Sequence, residues 1–137
     1  MQICLLDKNN ISLCHLFNEA FNISCFTIDI EKSLKNNVRF LCAIEDEKVL
    51  GSIMITTKYD PVKNIKSYYL DYVSVLLKYQ NKKIGSSLLK EVENLGRKEN
   101  ISYIEFTSNN SRVNARKMYL KSGYSVRDTD VFIKKLS

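Results

Sequence analysis

In the run Gln80-Asn81-Lys82-Lys83-Ile84-Gly85-Ser86-Ser87 the chain combines one glycine, two small hydroxyl residues and two adjacent lysines. These types suit the holding of phosphate. Gly85, Ser86 and Ser87 let an anion approach the backbone closely, and Lys82 and Lys83 add positive charge beside it. The run is not a Walker loop, because no Gly-Lys-Ser/Thr ends it, and it lacks the three spaced glycines of a dinucleotide fingerprint. An ordinary strand-to-helix turn with a surface lysine pair uses the same residues, so this stretch alone leaves both readings open. Upstream, Asp71 is a candidate general base for stripping a proton from a nucleophile, and Glu105 is a second. A strand-end carboxylate paired with one of the many lysines is an equal alternative for Asp71.

The other reactive side chains make no second centre. Cys4, Cys14, Cys25 and Cys42 all fall in the first third of the chain, too widely spaced and with too few histidines for a zinc site, so no metal is expected. A cysteine nucleophile needs a histidine partner, and the single histidine, His15, sits in a helical pattern with Leu13, Leu16, Phe17, Ala20 and Phe21. That pattern makes it a helix-surface or boundary residue. Without an export signal the cysteines are expected to be reduced and mostly buried.

The elements that must position the lysine-bearing run are legible on both sides of it. Tyr69 to Leu77 is rich in β-branched and aromatic residues and predicts a strand. From Ile84 the apolar residues Ile84, Leu88, Leu89, Val92 and Leu95 share one stripe of a 3.6-residue period, predicting a helix from about Lys83 to Lys98. The candidate anion site therefore lies where a strand gives way to a helix N-terminus, with its unpaired amides and positive dipole end. By strand period, Asp71 shares a face with Val73.

The rest of the chain supplies the surrounding layers. Gln2 to Leu6 reads as a strand, Asn10 or Ser12 caps a helix ending near Asn22, and Ser24 to Asn37 holds a short helix. Val38 to Ile44 and Val49 to Thr57 form a hairpin about Glu45-Asp46-Glu47-Lys48. Lys58 to Ser67, with the single proline Pro61, reads as a loop. Ser102 to Thr107 is a strand, Ser108 to Ser111 turns into a helix from about Arg112 to Lys121, and Gly123 closes it. Tyr124 to Arg127 and Val131 to Leu136 read as two short strands. The layout is α/β. At 137 residues, 45% hydrophobic and 26% charged, the chain is one soluble domain, 1–137, with one core. It shows neither a signal peptide nor an apolar run of membrane-spanning length, which predicts a cytoplasmic protein.

With these elements in order, the run from Gln80 to Ser86 resembles the acyl-coenzyme A loop of the GNAT superfamily of N-acetyltransferases: Arg or Gln, two residues, Gly, one residue, then Gly or Ala. Gln80 and Gly85 match, while Lys83 stands where the family usually has its first glycine, so the loop must take its shape without that residue's freedom at positive φ. Ala115-Arg116-Lys117-Met118-Tyr119-Leu120-Lys121-Ser122-Gly123-Tyr124 is similar to a second family segment, with Ala, Tyr four residues on, then Gly and an aromatic. The two motifs stand in the family's order, and the layout agrees along nearly the whole chain.

The resemblance implies a GNAT fold: a mixed, mostly antiparallel sheet of about seven strands with splayed fourth and fifth strands, flanked by about four helices. It implies acetyl-coenzyme A as acetyl donor, its pantetheine arm in the opening and paired like an added strand to the backbone of Val73, Ser74 and Val75. An N–H near Val75 or Leu76 would stabilise the oxyanion. Gln80, Asn81, Lys82, Lys83, Ile84, Gly85 and Ser86 would take the pyrophosphate. In the second motif Asn110, Arg112, Ala115 and Tyr119 fall near the coenzyme by the same comparison. Arg112 replaces an asparagine found in many relatives; it either reaches a coenzyme phosphate or lies on the solvent face. Tyr119 matches the family's proton donor to the departing thiolate, against a purely packing role between helix and sheet. Tyr124 is structural. The acceptor pocket would come from Ser24 to Asn37, Lys58 to Ser67 and the Asp128 to Asp130 turn, with Tyr59, Tyr68 and Tyr69 as lining.

The net charge of +6 is dispersed, with no basic run longer than two, which argues against a nucleic-acid partner. Three readings stand. The first is an enzyme moving acetyl from acetyl-coenzyme A to a primary amine of a small molecule or protein. The others are an acetyltransferase toxin acting on aminoacyl-tRNA and a non-catalytic coenzyme A-binding module. A monomer and a homodimer are both compatible with the sequence.

Overall fold

A computed structural model describes residues 1–137, which divide into two compact units, Met1–Thr107 and Ser108–Ser137. The first unit carries five strands in the order β1-β2-β3-β4-β5: β1 (Gln2–Leu5), β2 (Val38–Glu45), β3 (Lys48–Asp60), β4 (Ile65–Val75) and β5 (Tyr103–Glu105). All neighbours are antiparallel except β4 and β5. Helices α1 (Ile11–Phe21), α2 (Ile30–Lys35) and α3 (Ile84–Lys98) complete the unit. The sheet is mixed and mostly antiparallel, but it has five strands where about seven were expected.

Local chemistry explains the element ends. Asn10 caps α1 by accepting from the Ser12 N–H at 2.9 Å, and Asn22 ends it in the left-handed region. Asp29 caps α2 by accepting from the Lys32 N–H at 3.0 Å. Leu13, Leu16 and Phe17 of α1 are buried with Phe40, Cys42 and Val49 of the sheet in one core cluster. On α3 the stripe of Ile84, Leu88, Leu89 and Val92 is buried as its period demands.

The expected loop from Lys58 to Ser67 is instead the tip of a long hairpin. Tyr59 pairs with Lys66 and Asp60 with Ile65, leaving only residues 61–64 as the turn. Asp60 Oδ1 accepts from the Val62 and Lys63 amides at 2.9 and 3.2 Å, an Asx turn that lets a proline-bearing tip close tightly. As a result β4 starts four residues before Tyr69, and Tyr68 is fully buried rather than lining an acceptor pocket.

The second unit contains one helix, α4 (Val113–Lys121), with Arg112 at its N-cap and Gly123 just past its end at φ +94°. The strands expected at Tyr124–Arg127 and Val131–Leu136 are not elements of this unit. Its backbone there makes tight local bonds, Tyr124 N–H to the Tyr119 carbonyl at 3.1 Å and Thr129 N–H to the Arg127 carbonyl at 3.0 Å. Residue types suited to a strand become one only through pairing.

Candidate active site

β4 runs longer than its partner on one side. β5 pairs with it only at Ser67, Tyr68 and Tyr69, whereas β3 pairs with it as far as Val75. From Leu70 to Val75 the edge of β4 away from β3 is therefore open within this unit. At the far end Leu76 N–H donates to the Leu50 carbonyl at 2.9 Å. This fixes the ladder phase: Leu76 is engaged with β3, so the amide of Val75, one residue before, points to the open edge. The sequence left Val75 and Leu76 as alternatives for an oxyanion donor; the ladder removes Leu76.

A bulge interrupts the same stretch. Met54 pairs with Asp71 and Ser52 with Ser74, so two residues of β4, Tyr72 and Val73, oppose Ile53 alone. Tyr72 takes φ +52°, and Ser74 Oγ donates to the Tyr72 carbonyl at 3.2 Å. Cross-strand partners share a face, so Asp71 and Ser74 lie on one face despite being an odd number apart. Val73, adjacent to Ser74, then lies on the other. The expectation that Asp71 and Val73 share a face fails because the bulge breaks the two-residue period.

Asp71 is partly buried, and burial raises its carboxyl pKa above the ordinary value. No ion pair includes it, which removes the lysine-paired reading. Glu105 is different, since it pairs with Lys58 at 3.8 Å across to β3.

The loop after β4 keeps the shape that the missing glycine put in question. Asn81 and Lys83 both take left-handed backbone, φ +64° and +63°. A lysine in that region costs about 1–2 kcal/mol over glycine. Gln80 Nε2 donates to the Val75 carbonyl at 3.1 Å and ties the loop to the strand end. Ser86 Oγ donates to the Lys83 carbonyl at 3.1 Å, and Ile84 is buried in the core. The side chains of Gln80, Ser86 and Ile84 thus shape the loop, leaving contact with an anion to backbone amides and to the exposed Asn81, Lys82 and Lys83. No side chain caps α3 and no acid stands in its first turn. Lys82 and Lys48 both place Nζ over the Tyr79 ring, 5.7 and 5.5 Å from its centroid, which gathers cations next to that helix end.

Three contributors were not legible as site residues. Tyr72 forms the bulge. Gly51, opposite Val75, lets α3 approach: a Cβ there would meet Ser74 O at 3.1 Å and Ile84 Cγ2 and Leu88 Cδ1 at 3.2 Å. A glycine inside a strand is the available signal for such an approach. Glu19 of α1 accepts from the Leu77 N–H at 3.0 Å, bracing the loop from the other side.

In the second unit Tyr119 is 7% exposed, and burial raises its phenol pKa while the charge of Arg112 pulls the other way. A neutral phenol at ordinary pH is a proton donor. Asn110 and Arg112 are exposed and Ala115 is half-buried. Asn109 Oδ1 accepts from the Ser111 N–H and Oγ at 2.9 and 2.8 Å and makes the turn into α4.

A cavity of about 410 Å³ opens at the opposite end of α3, lined by Leu34, Asn37, Arg39, Thr57, Lys66 and Glu99. Its main charges satisfy each other through the Arg39–Glu99 pair, so it offers no anion site comparable to the loop. No group of three or more His, Cys, Asp or Glu is arranged to hold a metal ion, and no helix is long and apolar enough to cross a membrane.

Residues 9–124 match the profile of the acetyltransferase (GNAT) family. The fold is similar to that of an aminoglycoside acetyltransferase from an uncultured soil metagenomic sample, at 17% identity and TM-score 0.83, covering 99% of this chain and 96% of that one. A ribosomal-protein-alanine N-acetyltransferase from Brucella melitensis biovar Abortus 2308 aligns at 14% identity and TM-score 0.77, covering 99% and 100%. An integron cassette protein from the mobile metagenome of V. cholerae aligns at 19% and 0.75, covering 100% and 94%. At such identities these likenesses show a common fold. No curated protein matches the sequence.

Proposed function

The chain belongs to the acetyltransferase (GNAT) family, and from that premise we propose that it moves an acetyl group from acetyl-coenzyme A to a primary amine by direct transfer. The observation that carries the reading is the continuity of the open β4 edge with the cationic loop at the N-terminus of α3. An extended amide-bearing arm fits the first, and a pyrophosphate fits the second. Acetyl-coenzyme A supplies an activated thioester when bound. The family match spans both compact units, which supports treating 1–137 as one catalytic domain.

The residues divide the work. Backbone of Val73, Ser74 and Val75 pairs with the arm, and the Val75 N–H holds negative charge developing on oxygen. Gln80 to Ser86 cradles phosphate, with Lys82 and Lys83 as cations. Asp71 receives the proton of the attacking ammonium; its raised pKa brings it nearer the working pH than an ordinary carboxylate. Tyr119 gives a proton to the departing thiolate, a role supported by its motif position and its buried, neutral phenol. Asn110, Arg112 and Ala115 border the coenzyme on the motif comparison. The four free cysteines suit a reducing cytoplasm.

Calorimetric titration with acetyl-coenzyme A, desulfo-coenzyme A and ADP tests the reading. Binding that depends on the arm is expected, followed by thiol release when a panel of primary amines is supplied. Absence of binding to any of the three would sink the enzyme reading and favour an interaction module.

A further inference from the structure

Tyr72 is a bulky residue in left-handed backbone, φ +52°, in the middle of a strand. Such a residue persists only where its surroundings over-determine it. Here they do so through its ring. Phe21 meets it edge to face with centroids 5.2 Å apart at 88°, and Phe17 meets it tilted at 5.3 Å. Phe17 is anchored in turn, 3% exposed and 6.0 Å from the Phe40 ring of β2. Two aromatic contacts of about 0.5–1.5 kcal/mol each are of the size needed to hold a left-handed tyrosine.

We propose that α1, through Phe17 and Phe21, grips Tyr72 and thereby sets the bulge that presents the Val73–Val75 backbone to the coenzyme arm, which makes Tyr72 a positioning residue. This deepens the proposed function and rests on its reading of β4 as the arm-binding edge. The physical stake is register. Without the bulge β4 would return to its two-residue period, and every residue after Asp71 would change face relative to β3. The face of Asp71 relative to Val73 and the outward direction of the Val75 amide depend on the same residue. A helix beginning at Ile11 thus controls a strand edge more than fifty residues away in sequence.

The test compares Tyr72→Phe, Tyr72→Gly, Tyr72→Val and Phe21→Ala at a temperature where circular dichroism shows each folded. Acetyl-coenzyme A and ADP are the titrants, since ADP lacks the arm. Tyr72→Phe keeps both aromatic contacts and should bind within about twofold of the parent. Tyr72→Gly removes the backbone strain together with the ring contacts and should bind acetyl-coenzyme A within about threefold of the parent. Phe21→Ala keeps the strained tyrosine but loses a ring contact and should bind about three- to tenfold more weakly. Tyr72→Val, which has no ring and resists positive φ, should lose about ten- to a hundredfold, with ADP affinity unchanged throughout. Parent-like acetyl-coenzyme A binding by Phe21→Ala overturns the proposal. If Tyr72→Val fails to fold, Phe21→Ala carries the test. Amide hydrogen exchange over residues 70–76 separates the grip from the ligand assignment. If the parent protein binds no acetyl-coenzyme A, the arm-binding reading falls. Altered exchange in Phe21→Ala would still support the grip, and unaltered exchange would overturn it.

Discussion

Arg39 of β2 clamps Glu99 at the C-terminal end of α3, donating from its two terminal nitrogens at 2.9 and 2.7 Å, while the buried Tyr68 hydroxyl donates to the same carboxylate. The clamp fixes the far end of the helix whose N-terminus faces the anion loop. Arg39 holds the Glu99 carboxyl at about 2, well below the usual 4.5. A depressed carboxylate stabilises the fold above its unfolded pKa, so this contribution is complete above about pH 4.5 and is lost as pH falls toward about 2. Arg39→Met should lower stability at pH 7 by about 1–2 kcal/mol, discounted because Glu99 is partly solvated. It should also flatten the loss of stability below pH 4.5, as read by urea unfolding across that range.

Lys83 separates backbone shape from charge in the anion loop. Lys83→Gly removes a cation but suits φ +63° better, so acetyl-coenzyme A affinity should stay within about threefold of the parent. Lys83→Val removes the same charge and resists the left-handed region, and affinity should fall about tenfold or more. Equal affinities for the two variants would show that the backbone preference at this position does not set affinity.

Tyr119→Phe deletes only the phenol hydroxyl. Turnover with a saturating amine should fall by about 10²-fold, the low end for loss of a general acid, with coenzyme affinity unchanged. Burial holds the phenol protonated, so its high-pH limb should lie above the ordinary tyrosine range. Full activity of the variant across pH would remove Tyr119 from the chemistry.

Asp71 must be ionised to accept a proton, and burial raises its pKa. Activity should therefore rise with pH along a limb displaced above that of an ordinary aspartate, and Asp71→Asn should abolish that limb and lower kcat/KM by about 10²-fold. The pH profile of kcat/KM for both proteins reads this directly. A limb that survives in Asp71→Asn assigns the base elsewhere.

The sequence by itself determined whatever depends on period and on neighbouring residues. The stripe from Ile84 to Leu95 requires an amphipathic helix, Asn10 can cap the helix that follows it, and the loop pattern from Gln80 to Ser86 can be read without any long-range contact. Even the difficulty at Lys83 was legible, and the backbone there is left-handed as a glycine would be. What the tertiary structure decided are the pairings and their consequences. Tyr72 looks like an ordinary strand residue, and only the register against β3 and its φ of +52° reveal it as a bulge, which the rings of Phe17 and Phe21 contact. That bulge overturned the face assigned to Asp71, and the Leu76–Leu50 bond chose between two adjacent amides. The hairpin that swallowed the Lys58–Ser67 loop, and the C-terminal segments that form no strands within their unit, follow the same rule. A helix carries its hydrogen-bond partners four residues away in its own sequence. A strand finds its partner, and with it its register and its faces, only when distant parts of the chain meet.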